Sequence, residues 1–484
     1  MKIKASIILA IILIVSLFFR LYFSFSADGF SSDESYFHLR IINYVLENKL
    51  PLLYDELSYG GQRIYYPQLF HILISLFSFI PYFLKIIPAI LSSSLVIIIY
   101  LISKKITNDK TSSLLTAFLA AFIPIEIKNS TNQLSIYSLI IPVILILYLC
   151  LMNLEQKKYL NLFLVSSFLL PLIHISSLLF IFSLIFYLIL SNTESLFISK
   201  YKKETIVFSF FLILLINFLI YKNLFLKYGL NVIWQNIPYS LFAVYFKNLD
   251  ILEGIYLIGA LPLIFGSLGI FFGLFKEKDD PIILLAAAIL ATLFLVSIKI
   301  LTIQLGVLFL SIFLVLTSSL TIFKIYNYLD ITKFSKLKKY ATLSIISLII
   351  LLAFIPSYFI ANSLPDYDYQ ISSFQWLKEN TEEDSAILVP YEIGNILTAV
   401  AERKNIMDNN FLLAKNTEER LNDINIAYNT FSEIKALESL RRYNVKYIYI
   451  DDYIKNKYNL TKIRYIDDEK CFQEIKNDVY KIIC

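Results

Sequence analysis

Ser32-Asp33-Glu34-Ser35-Tyr36-Phe37-His38-Leu39-Arg40 is a polar, acid-led segment lying between long apolar stretches, and its reading decides what kind of chain this is. Ser32 can cap a helix that begins at Asp33, because a serine hydroxyl accepts from an amide of the first turn. At helical spacing positions 33, 37, 40 and 44 share one face, so Asp33 and Arg40 point the same way. Upstream, Met1 to Phe25 opens with Lys2 and Lys4 and continues apolar with no small-residue cleavage site. It reads as a retained first membrane helix rather than a signal peptide.

Downstream, apolar runs recur at about 83–103, 111–126, 134–153, 159–172, 176–191, 205–221, 252–275, 281–298, 302–323 and 340–361. With the first helix this predicts about eleven transmembrane spans. The composition agrees: of 484 residues 57% are hydrophobic and only 17% charged, against roughly 25% charged in a soluble domain. A single water-soluble domain is excluded. The basic excess sits in short clusters between apolar runs rather than in one patch, so nucleic acid is not an expected partner.

Those clusters orient the chain. Lys2 and Lys4, Lys104, Lys105 and Lys110, Lys157 and Lys158, Lys200, Lys202 and Lys203, Lys276 and Lys278, and Lys324, Lys333, Lys336, Lys338 and Lys339 fall on one side if the spans alternate. By the positive-inside rule that side is the cytoplasm, which puts the N-terminus in and the C-terminus out of a multi-pass protein of the cell membrane. Residues 1–362 then form the transmembrane domain, with a long first outer loop at 26–82. Residues 363–484 carry 16 Lys+Arg against 21 Asp+Glu, net −5, where the preceding part is net +10. This tail reads as a small extracytoplasmic α/β domain: helices at 372–380 and 431–443, strands at 386–389 and 445–450. Cys471 and Cys484 both lie in it, where an oxidising compartment would permit a disulfide; two unrelated thiols are the equal alternative.

Several runs are short, and about 15 helical residues reach only about 22 Å. Some helices therefore stop below the outer surface, leaving a cavity where a lipid-borne substrate can meet one from outside. Acids beside a membrane, placed with an arginine and histidines, suit a site that binds a lipid phosphate and activates a hydroxyl or holds a divalent metal. The plain structural alternative is that Asp33 and Glu34 favour a helix N-terminus, worth about 0.3–1 kcal/mol.

The Asp33-Glu34 pair in a long loop after the first helix, Arg20 near that helix's outer end, and Tyr65-Tyr66-Pro67 before the next apolar stretch together resemble the GT-C superfamily of integral-membrane glycosyltransferases. Asp33-Glu34 is similar to the pair in protein O-mannosyltransferases and lipid A aminoarabinose transferases. Asp33, Tyr36, Phe37, His38 and Arg40 resemble the first-loop motif of archaeal oligosaccharyltransferase catalytic subunits. In the tail, residues 376–384 resemble the oligosaccharyltransferase segment before its WWDYG motif, placing Pro390-Tyr391-Glu392-Ile393-Gly394 on that motif; residues 401–410 also look alike. Only the glycine survives, with Glu392 for the aspartate and both tryptophans gone, and the loop at 124–137 offers Glu126 where the family has several acidic metal ligands.

The resemblance implies an inverting membrane glycosyltransferase that takes a sugar from a polyprenyl (dolichyl-type) phosphate to an acceptor, whether glycan, lipid or protein, on the outer face. Asp33 is the leading candidate for the catalytic acid, with Glu34 beside it and Asp250 or Glu253 as weaker candidates. Arg40 and Arg63 are expected on the donor phosphate, since a guanidinium fork matches phosphate oxygens, and Lys85 is expected as an interfacial side chain. Tyr391, Glu392 and Gly394 are expected at the acceptor, Asp33 and Glu126 on a divalent cation (Mn or Mg), and His38, His71 and His174 near the pocket. The competing readings are a divergent oligosaccharyltransferase acting on asparagine, and a non-catalytic scaffold or lipid or solute transporter. A transporter would show internal repeats and mid-membrane charges; no clear repeat is visible.

Overall fold

The computed structural model describes residues 4–80, 82–246, 249–466 and 470–484. Each predicted apolar run is helical, because a backbone in lipid must satisfy its own amides and carbonyls. Seven of the described helices are long and apolar enough to cross a membrane: Ala5–Ser24, Phe83–Thr107, Lys200–Trp234, Ala260–Glu277, Asp280–Ser297, Ile303–Ile331 and Ser335–Asn362. An eighth span results if the pair Lys110–Ala120 and Pro124–Ser130, bent by 53°, counts as one. The expected count of eleven is therefore not reached by length and composition. The difference lies in Tyr137–Leu151, Lys157–Ile173 and Ser177–Thr193, of 15, 17 and 17 residues, which reach about 22–26 Å of a core about 30 Å thick.

Ile303–Ile331 runs through the middle of the bundle, with most of its side chains buried. Ala260–Phe271 lies directly against it, and Gly269 shows why: a Cβ there would stand 2.0 Å from the Thr317 carbonyl oxygen. Thr317 Oγ1 donates to the Gly266 carbonyl at 3.1 Å and Thr321 Oγ1 to that of Phe265 at 2.6 Å. Small residues thus let two backbones approach, and hydroxyls fasten them. At the face opposite the first loop, Lys202 pairs with Asp280, Lys278 with Glu194, Lys324 with Glu277 and Lys338 with Asp330.

The first loop and the chain beyond Asn362 pack on one another at the same face. Ser32 caps Asp33–Asn48 as expected, its hydroxyl accepting from the Ser35 amide. The loop then makes a small ladder, β1 (Tyr54–Asp55) with β2 (Gln62–Arg63). Beyond the bundle, β3 (Ala386–Leu388), β4 (Lys404–Asn405), β5 (Val445–Tyr449), β6 (Phe472–Lys476) and β7 (Val479–Ile482) form one sheet in the order β4-β3-β5-β7-β6. β3 is parallel to both neighbours and β5 meets β7 antiparallel. Helices Asp368–Asn380, Thr417–Asn429 and Glu433–Arg441 accompany it, and Cys471 and Cys484 join in a disulfide beside the β6–β7 hairpin. Tyr428, fully buried, donates to the carbonyls of Leu388 and Tyr449 and so holds helix to sheet.

Within the bundle, Arg20 and Glu126 form an ion pair with side chains 1% and 2% exposed. Arg20 also donates to the carbonyls of Ser16 and Ala121 and to Ser130 Oγ, so the first helix is fastened to the bend at Pro124. Removing one partner of a buried pair strands the other charge, at a cost of about 3–5 kcal/mol. Arg20→Leu is expected to lower the thermal unfolding midpoint of the detergent-purified protein sharply, and Arg20→Leu with Glu126→Leu to recover much of the loss.

Candidate active site

The Asp33 side chain faces the tail. Its Oδ1 accepts from the amides of Asn395 and Ile396, both at 3.0 Å, and its Oδ2 accepts from Asn395 Nδ2 at 2.7 Å and Asn409 Nδ2 at 3.2 Å. Burial pushes this carboxyl well above the usual carboxylate range against the pull of those hydrogen bonds. Glu34, one position on, is rotated to a different face and is open, with 60% of its side chain exposed. Its Oε1 lies 3.6 Å from His38 Nε2, and His38 Nδ1 is 2.9 Å from His71 Nε2. Partial desolvation by the surrounding protein works to raise the Glu34 carboxyl, but the His38 contact and the electrostatic influence of His38 and His174 outweigh it and bring it below its usual value. Burial, with His38 beside it, holds His71 well below its usual range, so that ring is neutral.

His174 sits in the turn between Lys157–Ile173 and Ser177–Thr193, its Nδ1 2.8 Å from Ser176 Oγ and its ring 5.5 Å from Tyr137. Burial lowers it to about 4, against the attraction of Glu34. Of the three expected pocket histidines, His38 by contact and His174 by electrostatic reach lie at Glu34, while His71 is linked to it only through His38. Tyr245, from the short helix Tyr239–Tyr245, closes the same space. Its hydroxyl donates to Asn409 Oδ1 at 3.2 Å, and burial together with Glu392, Glu34, Asp33 and Asp408 keeps it protonated.

Other expectations are redirected. Arg40 does not face the open side: its side chain is 11% exposed and pairs with buried Asp55, and its other guanidinium nitrogens are buried too. Burial would weaken its charge, but Asp55 more than restores it. Asp55 Oδ1 also accepts from the amides of Leu57 and Ser58, so Arg40 braces the loop. Glu126 is held by Arg20 and buried, and a carboxylate already neutralised by a buried arginine is a poor metal ligand. Lys85 donates to the carbonyls of Ser24, Ala27 and Gly29. Asp250 and Glu253 lie exposed at the start of Ile251–Ile258.

At residues 390–394, Glu392 pairs with Lys457, the Tyr391 ring lies 6.0 Å from that of Phe411, and a Cβ on Gly394 would meet the Met407 carbonyl at 2.5 Å. These groups are engaged in packing the tail, and Gly394 is required by the close approach of residues 407–408. Arg63 remains exposed. Near it, Lys227 Nζ lies 5.7 Å from the centre of the Tyr65 ring and within electrostatic reach of Arg63 and Lys415. Tyr65 and Ile175, the residue after His174, pack on the same small cluster of Tyr221, Leu224 and Val232, which places this cationic group close to the histidines.

Asn395, Asp408, Asn409 and Tyr245 escaped the sequence reading as site residues. Asp408 accepts from Ser58 Oγ at 2.6 Å and from Asn405 Nδ2 at 3.1 Å, and the Tyr59 hydroxyl donates to its carbonyl at 2.6 Å. The one signal was the polar run Asp408-Asn409-Asn410, at the end of a stretch that already looked like the oligosaccharyltransferase tail.

No protein-family model matches the sequence, and no curated protein matches it by sequence. Solved structures do share the fold. The apo Archaeoglobus fulgidus oligosaccharyltransferase matches 97% of this chain and 73% of its own at TM-score 0.68 and 13% identity. The same protein tethered to an acceptor peptide containing the NVT sequon matches 92% and 69%, at 0.67 and 15%. ArnT from Cupriavidus metallidurans bound to undecaprenyl phosphate matches 99% and 98%, at 0.57 and 7%. The chain thus shares the fold of these proteins.

The Glu34–His38 contact predicts a shift of known sign. With His38→Gln, the partial desolvation of Glu34 is opposed by His174 alone, so its carboxyl should titrate at higher pH than in the wild type. Carbodiimide labelling of Glu34 against pH, read by mass spectrometry, checks this; an unchanged midpoint would remove His38 as the cause.

Proposed function

We propose that this protein is a membrane glycosyltransferase that moves a sugar from a polyprenyl phosphate carrier to an acceptor hydroxyl at the outer face, with Glu34 as the catalytic carboxylate. The observation that carries the reading is the placement of Glu34: an exposed carboxylate 3.6 Å from His38 Nε2 and within electrostatic reach of His174 and Tyr245, with a cationic group at Arg63, Lys227 and Lys415 on the same face. The fold shared with the oligosaccharyltransferase and ArnT supports the reaction class. The lysine clusters at the opposite face support an orientation with the tail outside.

In this reaction the acceptor oxygen attacks the anomeric carbon while the bond from that carbon to the phosphate oxygen breaks. The acceptor proton passes to the Glu34 carboxylate and the polyprenyl phosphate leaves with the bonding pair, which inverts the anomeric centre. Arg63, Lys227 and Lys415 offset the charge on the leaving phosphate, as arginine and lysine do at phosphate sites. The expected divalent cation, Mn or Mg, fits one part of this site, because Glu34 is open and His38 Nε2 is buried without a hydrogen-bond partner. Those two side chains would hold it, and it would supply Lewis-acid stabilisation of the phosphate.

Transfer should be measured with detergent-purified protein and a panel of polyprenyl-phosphate sugars, with and without Mn²⁺ or Mg²⁺. Glu34→Gln is expected to lower turnover by about 10²–10⁴-fold, the usual worth of a positioned proton acceptor. Arg63→Gln and Lys415→Gln should mainly raise the KM for the donor. Turnover in Glu34→Gln equal to that of the wild type would overturn the assignment.

A further inference from the structure

Two neighbouring carboxylates at the start of Asp33–Asn48 do opposite things. A carboxylate offers about four acceptor positions, and the four donors from Asn395, Ile396 and Asn409 engage both oxygens of Asp33. Taking a proton from an acceptor, or binding a cation, would require Asp33 to release the tail. Glu34 carries no such load and is open.

The clasp at Asp33 is reinforced further along the loop. The Tyr59 amide donates to Asn405 Oδ1 at 2.8 Å, and the Asn405 amide donates to the Leu57 carbonyl at 3.1 Å. Ser58 and Tyr59 hold Asp408, while Arg40 returns the constraint to the same helix through Asp55. On the tail side, Asn395 Oδ1 accepts from Asn410 Nδ2 at 3.2 Å, and Gly394 is packed against residues 407–408. Helix Asp33–Asn48 is therefore fixed against rotation by polar contacts with the tail. Rotation of that helix would carry Glu34, together with His38, away from His174 on the neighbouring turn.

We propose that Asp33 is a positioning residue rather than a catalytic one: it clasps the tail segments at 394–396 and 405–410, and the tail thereby sets the position of Glu34. This rests on the reading of Glu34 as the catalytic carboxylate. It makes the tail a working part of the site in cis. A misplacement of about 1 Å at a catalytic group costs on the order of 10²-fold in rate, so loss of the clasp should appear in kcat with the donor KM little changed.

An exchange of donor and acceptor tests it. Asp33→Asn sets a side-chain amide against the Asn395 amide, and Asn395→Asp sets two carboxylates together, so each alone should lower kcat by about 10²-fold. The double variant, Asp33→Asn with Asn395→Asp, restores complementarity: the amide oxygen introduced at position 33 accepts from the two backbone amides, and the amide nitrogen donates to the carboxylate introduced at position 395. It should regain at least about tenfold over either single variant. If Asp33 were the proton acceptor, the double variant would be as inactive as Asp33→Asn, and that result overturns the proposal.

Hydrogen exchange in residues 33–40 and 394–400, followed by mass spectrometry on the full-length protein, reads the clasp independently of turnover. Exchange should quicken in each single variant and return toward wild type in the double. Unchanged exchange in both singles overturns the proposal whatever the activities. A wild type that transfers no sugar, with exchange that quickens and recovers as stated, counts against the glycosyltransferase reading while supporting the clasp.

Discussion

The buried carboxylate of Asp33, shared among donors from two tail segments, is the contact on which the arrangement of this face depends. A carboxylate out of water is costly unless its oxygens are fully engaged. Here the engagement comes from a part of the chain 362 residues away, by the sequence separation of Asp33 and Asn395. The loop and the tail therefore do not merely touch; neither can leave without stranding polar groups. Asp408 repeats the principle with Ser58, Tyr59 and Asn405.

This division of labour explains the crowding of acids and arginines in the first loop. Arg40 and Asp55 neutralise one another and hold the loop ladder; Arg20 and Glu126 do the same inside the bundle. Each is a charge pair whose partners come from separate segments, so each acts as a rivet. The charges left for a ligand are of another kind: Glu34 at an open position, and Lys227 beside the Tyr65 ring within electrostatic reach of Arg63 and Lys415. Charges of this second kind are free to meet a ligand, and those of the first kind hold the segments that carry them.

Much of the architecture was legible from local patterns. All the apolar runs are helices, Ser32 caps the helix at Asp33, and strands lie at 386–388 and 445–449, close to the short apolar runs read as strands at 386–389 and 445–450. The number of spans was less legible, because an apolar run shows that a segment is buried in something but not that it is long enough to cross. Tyr137–Leu151 and Ser177–Thr193 are apolar and packed against their neighbours, Lys157–Ile173 keeps one apolar face exposed, and all three fall short of the membrane thickness. The helix face shared by Asp33 and Arg40 was read correctly from periodicity, yet periodicity could not say that this face meets the tail.

By itself the sequence determined that the chain is a multi-helix membrane protein with a polar first loop and a separate acidic tail, since hydropathy and charge are properties of segments. It also narrowed the chemistry to the residues around Asp33 and Glu34. Only the tertiary structure gives those two neighbours different surroundings. Side chains about 100° apart on a helix have the same local sequence context and differ only in what the rest of the chain brings to each. The tail brings four hydrogen-bond donors to Asp33, and Glu34 is left exposed beside His38. Asn395 and Asn409, ordinary polar residues in the linear sequence, acquire their part only when a carboxylate from the far end of the chain is folded against them.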